Sequence, residues 1–296
     1  MTILEQDLLF EENEALAPYT SFKIGGPARY FAKLHTCEDF KKALLFCSRR
    51  HLPYIVLGKG SNTLFDQRGF PGVVLLNKME NIEIREDGYC VVDSGVSFPL
   101  LSVRTAKLGW AGLEFAAGIP CSVGGALFMN AGANGMSSSE PLLWVRYIDT
   151  SANIITFERD ELFFSYRYSS FQEMKGLILQ AAFLLNEDAE ARDRQQQMLQ
   201  KRKATQPCGD CSAGCIFRNP VGLSAGKLIE DCGLKGVRVG GAEISQKHAN
   251  FIVNVGSASS EDVLQLVAMV KHVVKLEMGV DLQEEVRYVP FNRCES

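Results

Sequence analysis

The sequence predicts an α+β fold. Helical and strand-like segments follow one another irregularly rather than in strict alternation, which disfavours a doubly wound parallel sheet. No internal repeat or low-complexity segment is present. The glycine loop after a strand-like run, Gly58-Lys59-Gly60-Ser61-Asn62, carries Thr63 where a dinucleotide fingerprint needs its third glycine. With 296 residues, 46% of them apolar, the chain can bury more than one core, and ~150 residues per domain suggests about two domains.

The first helix is expected over residues 36–50. Thr36 can cap it with Asp39 three positions on, and Phe40, Ala43, Leu44 and Cys47 recur at helical spacing. No element is assigned before it. A short apolar strand at 53–57 runs into the glycine loop. After Gly69-Phe70-Pro71-Gly72, strands are expected at 73–76, 82–85 and 89–93, separated by Asn, Asp and Gly. Residues 100–108 read as helical, and 115–139 as a buried Gly-rich loop and helix. Further strands are expected at 143–149, 154–157 and 177–185. Residues 187–204 are polar and helix-forming, with Glu190 and Arg194 at the supportive four-residue spacing, so an exposed helix is expected, ended by Thr205-Gln206-Pro207. Then come a Cys/Gly loop, a helix near 225–232, a strand at 251–255, a helix over 259–278 and a last strand at 286–289.

Charge narrows the function classes. Thirty-one basic against 35 acidic residues leave a net charge of −4, which argues against a protein held mainly to nucleic-acid phosphates. Nine cysteines show no disulfide framework, and the acidic start, MTILEQDLLFEENE, lacks the order of a signal peptide. Reduced thiols in a cytoplasmic protein fit both. Residues 115–139 carry no charge and are long enough to span a bilayer, but five glycines, Pro120, Asn130 and Asn134 argue against a membrane span. No membrane and no nucleic-acid partner is expected.

Five segments are candidates for chemistry. In residues 58–62 small residues let backbone N–H groups approach an anionic ligand, with Ser61 and Asn62 as added donors; an ordinary strand-to-loop turn has the same pattern. Gly118-Ile119-Pro120, Gly124-Gly125-Ala126 and the glycines after Asn130 allow a flat or charged ligand against the backbone, or tight helix packing. Gly222-Leu223-Ser224-Ala225-Gly226-Lys227-Leu228 is one residue short of a phosphate loop and ends in Leu. Cys208, Cys211 and Cys215 lack a nearby fourth ligand, which disfavours metal. Arg167, flanked by Tyr166 and Tyr168, is a candidate carboxylate fork or a strand-end surface residue, and alternation puts Glu285 and Arg287 on one strand face. The residues alone lead to a binder of an anionic, nucleotide-like ligand.

Taken in order, these segments resemble the UDP-N-acetylenolpyruvoylglucosamine reductase family. The matching pieces are Tyr19-Thr20-Ser21-Phe22-Lys23-Ile24-Gly25-Gly26-Pro27-Ala28, residues 58–62 with Gly69-Phe70, residues 118–135, Tyr166-Arg167, Ser212-Ala213-Gly214-Cys215-Ile216-Phe217-Arg218-Asn219-Pro220, and Glu285-Val286-Arg287. They run over nearly the whole chain. The short interval between Phe171 and the polar helix resembles the compact form of the family, which lacks an inserted tyrosine loop. The resemblance implies a vanillyl-alcohol-oxidase-type FAD-binding fold of two α+β subdomains plus a substrate-binding α+β domain. The divisions expected are residues 1–70, joined by a C-terminal strand at 283–296; residues 71–203; and residues 204–282 for substrate.

The implied activity is the NADPH-dependent reduction of the enolpyruvyl ether of UDP-N-acetylglucosamine to UDP-N-acetylmuramate through FAD, in peptidoglycan precursor synthesis, by a monomer. The resemblance implies that Arg167 and Glu285 bind the carboxylate and stabilise the enol. It places Cys215 where most members carry a serine proton donor, and a thiol with an ordinary pKa near ~8.5 should be open to oxidation and alkylation. Gly58, Lys59, Gly60, Ser61 and Asn62 are expected at the pyrophosphate of FAD, and Gly118, Gly124 and Ala126 near the rest of it. Tyr166, Asn219, His248 and Lys203, with Arg202 beside it, are expected to face substrate, and His248 has a purely structural alternative. No metal is expected. The competing readings are a flavoprotein of the same fold acting on small alcohols, and a binding module without catalysis.

Overall fold

The computed structural model describes residues 2–5 and 7–291; residues 292–296 of the expected terminal segment lie outside them. The chain begins with strands β1 (Thr2–Glu5), β2 (Leu8–Ala15) and β3 (Pro27–Leu34), then helix α1 (Cys37–Arg49), β4 (Tyr54–Leu57), β5 (Thr63–Phe65) and β6 (Phe70–Asn77). Five of these strands form a mixed sheet in the order β1-β2-β3-β6-β4, with β6 parallel to both neighbours. The expected cap is present: Thr36 Oγ1 accepts from Asp39 N at 3.1 Å and Asp39 Oδ2 accepts from Thr36 N at 2.9 Å. The apolar face of α1 packs on this sheet, where Phe46 stacks on Phe10 with ring centroids 3.8 Å apart. Because β6 lies inside the sheet, between β3 and β4, a division at residue 70 cuts a paired strand; the sheet is complete only at Asn77.

A second, antiparallel sheet follows, from β7 (Ile82–Ile84), β8 (Tyr89–Asp93), β9 (Leu142–Asp149), β10 (Ile154–Glu158) and β11 (Gly176–Leu184), in the order β10-β9-β11-β8-β7. Helices α2 (Phe98–Lys107), α3 (Val123–Phe128) and α4 (Ala191–Thr205) belong to this part of the chain. The uncharged stretch forms the rest of a 3-10 turn that Glu114 opens (Glu114–Gly118), then α3 and a short ribbon. No helix among the described residues is long and apolar enough to cross a membrane.

Helix α4 is not the free surface helix its polarity suggests. Arg194 donates to Glu114 Oε1 at 2.9 Å and to Asp188 Oδ2 at 2.8 Å, while Glu190 is 3.9 Å away. Glu114 is buried, with Oε2 also accepting from Gly112 N at 2.6 Å. A buried carboxylate must be paired or hydrogen-bonded, so the ion pair docks α4 where apolar residues are scarce.

The third sheet, antiparallel in the order β12-β15-β14-β13, is made of β12 (Ser212–Cys215), β13 (Arg238–Val239), β14 (Ala242–Ile244) and β15 (Phe251–Asn254). Helices α5 (Ala225–Asp231) and α6 (Ser260–Met278) cover it, Val263, Leu266, Val267, Val270 and Val274 of α6 lying in its core. Ser259 and Asp262 form the cap at one end of α6, and Gly279 ends it at φ +69°, a left-handed position that costs glycine nothing. Finally β16 (Arg287–Val289) returns to pair in parallel with β5.

Candidate active site

A cleft of about 1410 Å³ lies among the three sheets. It exceeds the ~300–1,000 Å³ of an ordinary small-molecule pocket, so it has room for more than one small ligand. The eight described cysteines are all unpaired, and among the described residues no three His, Cys, Asp or Glu side chains group as a metal site.

One wall is backbone. Residues 58–62 leave the end of β4, and among the described residues no acceptor takes the N–H groups of Lys59, Gly60, Ser61 or Asn62. Gly60 sits at φ +60°, and a Cβ there would come within 2.3 Å of the Tyr19 carbonyl oxygen. A Cβ on Gly58 would meet Ser122 Oγ at 2.3 Å, so this glycine lets the loop before α3 touch the loop after β4. Fixed N–H groups facing a cleft suit an anion. The Asn62 side chain is committed elsewhere: Nδ2 donates to the Glu285 carbonyl at 3.1 Å. Lys59 contributes backbone to the wall, its exposed ammonium lying 3.7 Å from Glu80.

A second wall is charged side chains. Arg167 Nε donates to Glu285 Oε1 at 2.7 Å, and Arg167 Nη2 to the Gly132 carbonyl at 3.2 Å. The backbone of Arg167 lies at φ +57°, a strained region for a side-chain-bearing residue. The Glu285 side chain is only 14% exposed; its burial pushes the carboxyl pKa up, and Arg167 opposes this in part. Glu285 N donates to the Ile216 carbonyl at 2.7 Å, which sets Glu285 beside the end of β12 and its last residue, Cys215. Burial, reinforced by the Glu285 charge, pushes the Cys215 thiol up to about 12. A thiol so raised stays protonated at neutral pH, so the ready alkylation and oxidation expected from an ordinary cysteine are suppressed.

Of the residues expected to face substrate, Asn219 and His248 line the cleft. Asn219 Oδ1 accepts from Ala225 N at 3.0 Å and so helps start α5, while Asn219 N donates to the Tyr166 hydroxyl at 3.2 Å. Tyr166 is otherwise exposed and stands at the rim, under the Arg167 guanidinium at 5.0 Å. Burial lowers the His248 pKa, and Nδ1 accepts from Asn250 N at 3.3 Å, a structural engagement at a cleft position.

Two expectations fail. Ala126 is wholly buried in the core beneath α3, where its carbonyl accepts from Ser138 Oγ and Ala131 N; helix packing, not cofactor contact, explains its small size. Lys203 is exposed on the outer side of α4, and its neighbour Arg202 lines the cleft instead. Gly118 makes the space: a Cβ there would meet Arg202 Cδ at 2.3 Å. Arg202 Nε is buried without a hydrogen-bond partner among the described residues, a donor held ready for an anion. Gly124 admits Ser94, which a Cβ would approach to 2.9 Å. Asn250, which the sequence reading passed over, underlies the Cys215 segment; an Asn beside a strand carries no signal of its own.

Known proteins place this geometry. Residues 28–158 match an FAD binding domain, and residues 206–289 the C-terminal domain of UDP-N-acetylenolpyruvoylglucosamine reductase. The reductase of Protochlamydia amoebophila is 50% identical over 96% of this chain and 95% of its own length. The chain belongs to the UDP-N-acetylenolpyruvoylglucosamine reductase family. The Chlamydia muridarum reductase is 45% identical over 95% of each chain. The crystal structure of the reductase from Thermus caldophilus superposes with a TM-score of 0.82 at 36% identity, covering 96% of this chain and 100% of the other. The fold is therefore the FAD-binding α+β architecture with a substrate-binding domain that the sequence led us to expect, and the chain is an FAD-dependent oxidoreductase that reduces the enolpyruvyl group of its UDP-sugar substrate. The residues present fit the cofactor: free N–H donors at 59–62 suit its phosphates, in a cleft large enough for cofactor and substrate together.

Proposed function

We propose that Arg167, Glu285 and Cys215 carry the enolpyruvyl reduction. The observation that carries this reading is the Arg167–Glu285 pair at 2.7 Å, half-buried in the cleft beside Cys215. Bound FAD supplies hydride to the alkene, and NADPH is the reductant that restores it. Arg167 holds the substrate carboxylate through its guanidinium fork, and the strained backbone fixes the direction in which the fork points. As hydride arrives at the terminal alkene carbon, negative charge spreads onto that carboxylate. Arg167 balances it and also neutralises Glu285, which it bonds at 2.7 Å, so that the carboxyl does not repel the developing charge. Cys215 then gives its proton to the carbon bearing the ether and recovers one from solvent. A neutral thiol is the form needed, and its raised pKa keeps it in that form. Arg167 and Arg202 both favour the thiolate it leaves behind.

In this reading the backbone of residues 58–62 takes the FAD pyrophosphate, with Gly118 and Gly124 shaping the space beside it. Tyr166, Asn219 and His248 line the path of the UDP-sugar, and Arg202 replaces Lys203 as the cation for its diphosphate. Residues to Asn77 with β16, residues 78–205 and residues 206–282 are the three working units, acting as a cytoplasmic monomer whose product feeds cell-wall growth, cell shape and division.

The test is anaerobic spectroscopy of the purified protein. Loss of the flavin band on adding NADPH, and its return on adding the enolpyruvyl ether, establishes both half-reactions in one cuvette. Loss without return means a different acceptor, such as the carbonyl product of a small alcohol. A colourless protein that takes up no FAD overturns the reading.

A further inference from the structure

Beyond β12, the ladder between the Cys215 segment and β15 changes character. Ile216 N still donates to the Asn250 carbonyl at 2.8 Å, as a strand neighbour would. At Phe217 the backbone partner is gone, and the Asn250 side chain takes its place: Phe217 N donates to Oδ1 at 3.0 Å and Nδ2 donates to the Phe217 carbonyl at 2.8 Å. A primary amide presents one acceptor and one donor edge, as a peptide group does, so it can continue a ladder for one residue. Asn250 and Phe217 are both buried, so each of these bonds would be costly to leave unmade.

The opposite edge of the same short segment holds the C-terminal limb. Glu285 N donates to the Ile216 carbonyl at 2.7 Å, and Arg218 N to the Gln283 carbonyl at 2.8 Å. Residues 216–218 are thus a narrow ribbon between Asn250 on one side and the peptide of Glu285 on the other, with Cys215 at its start. The same asparagine also fixes the imidazole of His248, by donating from its backbone N to Nδ1 at 3.3 Å. With Nδ1 an acceptor, a neutral His248 carries its proton on Nε2.

We propose that Asn250 is the positioning residue that holds the Cys215 thiol and the Glu285 carboxyl at a working separation. The proposal rests on the roles given above to Cys215 and Glu285. No other common side chain makes this splint. Aspartate lacks the donor when ionised, serine and alanine do not span the distance, and glutamine is one carbon too long.

The carboxylic acid is the informative replacement, because its protonated form has the donor and acceptor edges of the amide. In Asn250→Asp at low pH, the substrate-driven return of the flavin band should run within about threefold of wild type, and it should fall relative to wild type by about tenfold per pH unit once the introduced carboxyl ionises. His248 is the titratable side chain bonded to Asn250, so Asn250→Asp in a His248→Gln background separates the two titrations. In Asn250→Ala the same step should fall by about 10²-fold at every pH, while NADPH-driven bleaching stays within about twofold. Peptide-mapped alkylation of Cys215 gives a readout independent of turnover: slow in wild type, it should rise at least about tenfold in Asn250→Ala and follow the same pH profile in Asn250→Asp.

A parallel fall of both half-reactions with loss of FAD would make Asn250 merely structural and overturn the proposal. So would wild-type alkylation in both variants, or an Asn250→Asp rate that tracks wild type at all pH values. If Cys215→Ala leaves the substrate step intact, the assigned chemistry fails, while the alkylation profile still reports whether Asn250 positions the thiol.

Discussion

The two walls of the cleft recognise their ligands by opposite means. On one side residues 58–62 offer peptide N–H groups on a path where Gly58 and Gly60 leave no room for a Cβ. On the other, Arg167, Glu285 and Cys215 offer side-chain groups, and burial raises the pKa values of the carboxyl and the thiol. The first wall is blind to pH and intolerant of added atoms. The second depends on its inventory of charges and protons. A cofactor that stays put suits the first, and a substrate that must be protonated and released suits the second.

The largest effect should come from emptying the second wall of its donor. Cys215→Ala should slow the substrate-driven half-reaction by about 10²–10⁴-fold and leave NADPH-driven bleaching within about twofold, measured by anaerobic stopped flow. Cys215→Ser should recover most of the loss. Equal losses in both half-reactions would erase the contrast between the walls.

Next comes the backbone wall. Gly60→Ala forces a side chain into the left-handed region at a cost of about 1–2 kcal/mol, before the approach to the Tyr19 carbonyl is counted. The variant should melt earlier and release its flavin on dialysis, with a thermal shift that does not change between acid and neutral buffer.

A smaller, pH-dependent effect belongs to Glu285. Its carboxyl pKa is raised in the folded protein, mainly by burial. At low pH both folded and unfolded chains are protonated and nothing is gained or lost. Rising pH ionises the unfolded chain first, so stability should fall between the ordinary carboxylate range and the raised value. Melting curves against pH should show this loss, and Glu285→Gln should abolish it while slowing the substrate step. The smallest effect should be Lys203→Ala, which removes an exposed ammonium. Stability should move by less than about 0.5 kcal/mol, with turnover unchanged.

What could be read from the sequence follows the same division. The capped helices α1 and α6 were legible because a Thr or Ser with an Asp three residues on is a local signal. Strands such as β8, apolar and bounded by turn residues, were legible too. Strands β1 to β3 gave no signal: β2 reads LLFEENEA, and its pairing with β3 rather than its composition makes it a strand. The site residues came from family motifs, which name positions but not directions. Hence Ala126 and Lys203 were chosen beside the residues that do the facing, and Asn250 was missed, because its amide acts on the backbone of a residue 33 positions away.

The amide of Asn62 meets the carbonyl of Glu285 across 223 residues of chain. At a ribosomal pace of about 5–20 residues per second, that interval is roughly 10–45 s. Throughout it the loop after β4 and the edge of β5 exist without the strand that completes them. Unpaired edges invite pairing with other chains, so the nascent polypeptide is most exposed to misassembly at the place where the finished enzyme works. The yield of active protein should therefore respond to slowed translation between residues 65 and 285 more than to equal slowing before residue 62.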